Sequence, residues 1–119
     1  MAKKFPVTIY HNPKCSTSRQ VLEMIEAAGH KPEVVEYLKA GWTKKQLKDL
    51  FAAANLTPRQ ALRTRAPEAE DLGLLNPKVT DAKILDAMAA HPVLVERPIV
   101  VTPKGARIAR PKESVREIL

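Results

Sequence analysis

The chain has 119 residues, a length that fits one domain with a hydrophobic core of its own. Hydrophobic residues make up 45% and charged residues 28%, an ordinary globular balance, and no stretch approaches the roughly 20 apolar residues of a membrane helix. The formal charge of +7 suits the attraction of small anions. Aromatic residues are only 4%, and the basic residues are spread along the chain, which argues against nucleic acid as a partner.

The start, Met1-Ala2-Lys3-Lys4, is basic, but the apolar run from Phe5 to Tyr10 is too short for a signal sequence. Nothing directs the chain outward. A single cysteine cannot form an internal disulfide, so a reducing cytoplasm is the expected location. No glycine-rich nucleotide loop is present. One cysteine and three histidines show no metal-ligand spacing, so neither a metal nor a bound cofactor is expected.

Val7 to Tyr10 reads as a buried strand. A helix is expected to start near Ser16 to Ser18, with Val21, Leu22, Ile25 and Ala28 at helical spacing and Gly29 as its stop. Glu33 to Leu38 reads as a second strand, parallel to the first through a right-handed crossover. Thr43-Lys44-Lys45-Gln46 is a capping box, opening a helix with Leu47, Leu50, Phe51 and Ala54 on its apolar face. Thr57-Pro58 predicts a helix over about 58–64, with Arg63 at its end. Pro67 to Leu74 reads as a short acidic helical turn, broken at Asn76-Pro77. Thr80 or Asp81 caps a helix with Ile84, Leu85 and Met88 inward, which stops before Pro92. Ile99-Val100-Val101 and Ala106 to Ala109 read as a hairpin around Pro103-Lys104-Gly105, and Pro111 starts a last helix.

The order is β-α-β, a helical insertion at about 43–91, then β-β-α, within a single domain spanning 1–119. It resembles the thioredoxin-like α/β arrangement, a mixed four-stranded sheet flanked by helices. In folds of that kind a cis-proline precedes the third strand and faces the reactive cysteine, and Pro98 stands in that place.

Cys15 lies in the loop His11-Asn12-Pro13-Lys14-Cys15-Ser16-Thr17-Ser18-Arg19, between the first strand and the first helix. Unpaired N–H groups and the helix dipole lower a thiol's pKa there, and can hold an oxyanion. The basic, hydroxyl-rich neighbours are not those of a buried structural cysteine. Three tasks suit such a thiolate: disulfide exchange, phosphate-ester hydrolysis and reduction of an oxyanion such as arsenate. Ser18 stands where a dithiol enzyme needs a second cysteine. Val21 stands where a cysteine phosphatase needs its arginine. Oxyanion reduction needs cationic forks; Arg63, Arg97 and Arg110, from three distant segments, are each by themselves ordinary surface arginines, and only the family resemblance that follows singles them out. His11 is close enough in sequence to orient the loop or share a proton with the thiol.

Ile9-Tyr10-His11-Asn12-Pro13-Lys14-Cys15, Thr17-Ser18-Arg19, His91-Pro92, Glu96 to Pro103, Arg110-Pro111 and Glu117-Ile118-Leu119 together resemble the glutaredoxin-coupled arsenate reductase family of the ArsC type. The resemblance spans nearly the whole chain. It implies Cys15 as the nucleophile toward arsenate, and Arg63, Arg97 and Arg110 as oxyanion-binding residues. His11, Ser18, Arg19 and Pro98 would support them. Glutathione would be the co-substrate and glutaredoxin the partner that completes reduction to arsenite.

Two features depart from the best-known members of that family. Ser16 replaces the glycine common directly after the cysteine, and the sequence stops at Leu119 without the further tail. Both resemble a shorter ArsC-like subgroup. The same fold also accommodates a glutathione-dependent oxidoreductase of another substrate, or a regulatory binding protein.

Overall fold

β1 (Thr8–Tyr10) is an inner strand of a four-stranded sheet with order β2-β1-β3-β4, in a computed structural model that describes residues 5–119. The basic run Met1-Ala2-Lys3-Lys4 lies outside the described residues. β2 (Glu33–Val35) pairs parallel with β1, setting Tyr10 opposite Val35. β3 (Ile99–Thr102) pairs antiparallel with the other side of β1, setting Tyr10 opposite Ile99, and β4 (Gly105–Ile108) completes the hairpin. This is the mixed sheet of a thioredoxin-like α/β fold, as the order of elements predicts.

The chain divides into two compact units. One comprises residues 5–37 with Arg97–Leu119, and the other comprises Leu38–Glu96. The first holds the sheet and α1 (Ser16–Ala27). Val21 and Ile25 of α1 are buried with Val7, Ile9, Val100 and Ala109, together with Val115 and Ile118 of a closing 3-10 helix, Lys112–Ile118. Burying one such aliphatic side chain contributes about 1.5–3 kcal/mol. Thr102 Oγ1 donates to the Ile118 carbonyl at 2.6 Å, tying the closing helix to β3. Gly29, at φ +90°, allows the left-handed turn that ends α1.

The second unit is helical. α3 (Lys44–Ala54) begins at the Thr43–Gln46 capping box, and α4 (Pro58–Ala61) begins at a second one between Thr57 and Gln60. α5 (Pro67–Asp71) is one short turn, and α6 (Asp81–Ala90) begins at Thr80, whose hydroxyl accepts from the Lys83 N–H. Leu47, Leu50 and Phe51 of α3 and Ile84, Leu85 and Met88 of α6 are buried.

Four local expectations are corrected. The second strand ends at Val35, and Tyr37 and Leu38 enter a one-turn helix, α2 (Tyr37–Ala40). A β-prone run of apolar residues is no proof of a strand, because packing overrides propensity. α4 ends at Ala61, so Arg63 lies beyond it in extended chain, where Leu62 bridges Val95 and the Arg63 N–H donates to the Leu94 carbonyl at 2.8 Å. Ala28 is exposed rather than part of the apolar face. The last helix is present but is of the tighter 3-10 type. Among the described residues no helix is long and apolar enough to cross a membrane.

Candidate active site

Cys15 is the N-cap residue of α1, with φ −92° and ψ 120°. The turn that delivers it is tightly bonded. The Cys15 N–H donates to the Asn12 carbonyl at 3.0 Å, and the Lys14 N–H donates to Asn12 Oδ1 at 3.0 Å. Asn12 thus forms the short-range bonds that asparagine favours in turns, and the cysteine arrives where the first N–H groups of α1 lack helical partners. The N-cap position prefers a small oxygen-bearing side chain. Here the sulfur takes that place, half-buried and unbridged.

The thiol pKa is lowered from its ordinary value. Burial by itself pushes it up. The Ser18 backbone N–H, the Arg97 guanidinium and the charge of Arg110 together outweigh burial and favour the thiolate. Arg110 Nη2 stands 3.8 Å from the sulfur. Its Nε donates to the Arg97 backbone carbonyl at 2.6 Å, so one arginine side chain is clamped to the residue that carries the other. Arg97 in turn is perturbed by burial, which lowers its pKa, and by Cys15 and Tyr37, which raise it beyond its usual value. Arg97 therefore remains a cation at any physiological pH.

The bonds around Arg97 and Arg110 depend on the hairpin. The Ala109 N–H donates to the Pro98 carbonyl at 2.9 Å, extending the β3–β4 pairing toward Arg110. The Arg97–Pro98 and Arg110–Pro111 peptide bonds are both cis, and Pro98 is buried. The sheet register places Arg97 two residues before the strand position that faces Tyr10, directly beside the loop that Tyr10 opens.

His11 and Ser18 form the inner support of that loop. Both are buried, Ser18 completely. His11 Nδ1 and Ser18 Oγ are 2.6 Å apart, and the Asn12 N–H donates to the same oxygen at 3.1 Å. Burial lowers the His11 pKa, Glu36 opposes that shift and Arg19 adds to it. The neutral ring is the resting form, in which Nδ1 can accept from the Ser18 hydroxyl while that oxygen accepts from Asn12. Ser18 is thus more than a first-turn residue. Arg19 Nη1 donates to the Pro13 carbonyl at 2.8 Å and holds the outer side of the same turn.

The structure therefore brings together Cys15, His11, Ser18, Arg19, Arg97, Pro98 and Arg110 in one unit. Arg63 belongs to the helical unit, where its Nη1 stands 3.1 Å from Glu96 Oε1 in a half-buried ion pair. Sequence reasoning missed Asn12 as the turn-former and Tyr37 as a neighbour of Arg97. Asn12 was legible as an Asx turn, whereas only the pairing of β2, β1 and β3 reveals Tyr37. Among the described residues no group of three or more His, Cys, Asp or Glu side chains could hold a metal ion.

A thiolate beside two fixed cations can attack an electrophilic centre that carries negative oxygens, because the cations offset the charge of both partners. Comparison with known proteins agrees in kind. The model of the ArsC family matches residues 10–118. An arsenate reductase of Synechocystis sp. is 62% identical over 113 residues, covering 95% of this chain and 81% of that protein. An arsenate reductase of Escherichia coli strain K12 is 47% identical over 113 residues, covering 95% of this chain and 80% of that protein. The solved structure of an arsenate reductase from Vibrio cholerae matches with a TM-score of 0.93 at 41% identity, covering 98% of this chain and 100% of that one.

Proposed function

The chain belongs to the ArsC family, and from that premise we propose that it reduces arsenate to arsenite through Cys15, with glutathione and glutaredoxin supplying the electrons. The observation that carries this reading is the half-buried Cys15 sulfur at the start of α1 with Arg110 Nη2 3.8 Å away, in surroundings that lower the thiol's pKa. The names of relatives at 62% and 47% identity support the substrate. The lone cysteine supports an external electron source, since the chain has no second thiol with which to form a disulfide.

In this reaction the Cys15 thiolate replaces one oxygen of arsenate, which leaves as water after accepting protons. The arsenic stays pentavalent. A glutathione thiol replaces a second oxygen, again with loss of water. A glutaredoxin thiolate then attacks the glutathione sulfur and forms a mixed disulfide. The sulfur–arsenic electron pair remains on arsenic, which becomes trivalent. Hydrolysis of the Cys15–arsenic bond releases arsenite and restores the thiol. Arg97 and Arg110 neutralise the oxyanion during attack, and the His11–Ser18 pair keeps the loop in place. Arg63 enters as a third oxyanion-binding residue on the family motif alone, with the Glu96 carboxylate as a competitor for its guanidinium. A reducing cytoplasm is the compartment that would keep Cys15 and its thiol donors active.

The test is arsenite formation from arsenate by the purified protein with glutathione and glutaredoxin. Turnover that requires all three, and that is lost in Cys15→Ser, is the expected result. No arsenite under conditions where a known reductase works would reject arsenate as the substrate.

A further inference from the structure

Arg63 and Glu96 meet across a short chain pairing inside the helical unit. Leu62 bridges Val95 in antiparallel register, with the Arg63 N–H donating to the Leu94 carbonyl at 2.8 Å and the Glu96 N–H donating to the Ala61 carbonyl at 2.9 Å. Leu62 and Val95 are both buried. Side chains alternate along extended chain, so Arg63 and Glu96 share the opposite face. They are diagonal neighbours there, at a separation that long side chains can span. Their heads meet at 3.1 Å, Arg63 Nη1 to Glu96 Oε1. We propose that Glu96 is a positioning residue for Arg63: its carboxylate holds one nitrogen of the guanidinium and leaves the other two to an oxyanion.

The geometry of the pair supports this. Arg63 Nε and Nη2 have no hydrogen-bond partner among the described residues, and neither is sealed from solvent. A carboxylate that blocked the fork would take two parallel N–H groups, as bidentate pairs do. This one competes for a single nitrogen. The two side chains are 17% and 22% exposed, so the pair is screened less than an ion pair on the open surface. The backbone hydrogen bonds on either side of the Leu62–Val95 bridge fix the base of each side chain. An arginine side chain has several rotatable bonds and loses considerable freedom when ordered. An acceptor already in place orders it before substrate arrives, which is what electrostatic preorganisation requires.

The inference rests on Arg63 as an oxyanion-binding residue of the proposed reaction. The experiment compares wild type with Glu96→Gln, Glu96→Ala, Arg63→Ala and the double variant of Glu96→Ala with Arg63→Ala, and thermal melting checks that each is folded. In Glu96→Ala, kcat/KM for arsenate should fall on the order of tenfold, the scale of a misplaced binding group. Glu96→Gln should recover most of that loss, because its amide oxygen accepts the same N–H. The double variant should match Arg63→Ala. A rise or no change in Glu96→Ala would overturn the proposal, since removing a mere competitor frees the arginine. So would a Glu96→Ala loss that persists in full without Arg63. NMR relaxation of the Arg63 Nε–H group reads the same point without arsenate. The group should be ordered in wild type and Glu96→Gln, and mobile in Glu96→Ala. An Arg63 equally ordered without Glu96 would reject the positioning role, whereas a failed arsenite assay alone would reject only the substrate.

Discussion

Arg110 Nη2 stands 3.8 Å from the sulfur of Cys15, although 95 residues separate the two in sequence. The contact exists because the hairpin of β3 and β4 returns the chain to the end of β1, and because Arg110 Nε is held by the Arg97 carbonyl. Cationic stabilisation of the thiolate is thus a product of strand pairing, added to what the helix start supplies locally.

That contact makes the thiol's titration the most direct check on the site. Its folded pKa lies below the ordinary value, which is about 8.5 for a free cysteine. In the window between the folded and unfolded values the unfolded chain binds more protons, so stability rises with pH there. The contribution is complete above about 8.5 and is lost as pH falls through the folded pKa. Thiolate absorbance should accordingly titrate below the value of a free thiol, and Arg110→Ala should move the midpoint upward. A midpoint at or above the free value would contradict activation by these groups.

Turnover should depend on Arg97 and Arg110 far more than on Arg107. Arg107 bonds the exposed Glu117 carboxylate at 3.3 Å, a surface pair worth about 0–1 kcal/mol. Arg97→Ala and Arg110→Ala should each lower kcat/KM for arsenate on the order of a hundredfold or more, the scale of a lost charge-stabilising donor. Arg107→Ala should leave it within about twofold. Steady-state kinetics on the three variants decides this, and equal losses would mean that general surface charge had been mistaken for a site.

Ser18→Ala should destabilise the fold. The Ser18 oxygen is the partner of both His11 Nδ1 and the Asn12 N–H, and all three residues are buried. Leaving buried polar groups unsatisfied costs about 1–3 kcal/mol, which denaturant unfolding would resolve. The Ser18 backbone N–H remains in the variant, so its direct effect on the thiolate is retained.

His11 adds a second pH signature. Its folded pKa is depressed, chiefly by burial, relative to an unfolded value of about 6.5. Below about 6.5 the unfolded chain binds the proton first. Stability should therefore fall as pH drops through that value and toward the folded one, and His11→Gln should flatten this limb of the profile. Melting temperature against pH, with and without the substitution, is the measurement.

Much of the architecture was legible locally. Thr43 with Gln46, Thr57 with Gln60, and Thr80 announce helix starts because a cap bonds an N–H only two or three residues onward. Gly29 announces a stop because its positive φ disfavours other residues. Cys15 could be placed at a helix N-terminus for the same reason, from the change of pattern on either side of it. By contrast, Tyr37 reads as one more strand residue, and Arg63 reads as the end of a helix that stops earlier, because tertiary packing settles those boundaries.

The partners of Cys15 divide along the same line. The Ser18 N–H follows from three residues of chain entering a helix, so the motif alone fixes it. Arg97 and Arg110 are individually ordinary residues, and nothing in their own segments distinguishes them from Arg107. Family resemblance selects the two arginines. Only the pairing of β3 beside β1, with β4 returning beside β3, brings both to one thiol. Side-chain electrostatics act over a few ångströms of space, and distance in space between remote segments is what tertiary structure creates.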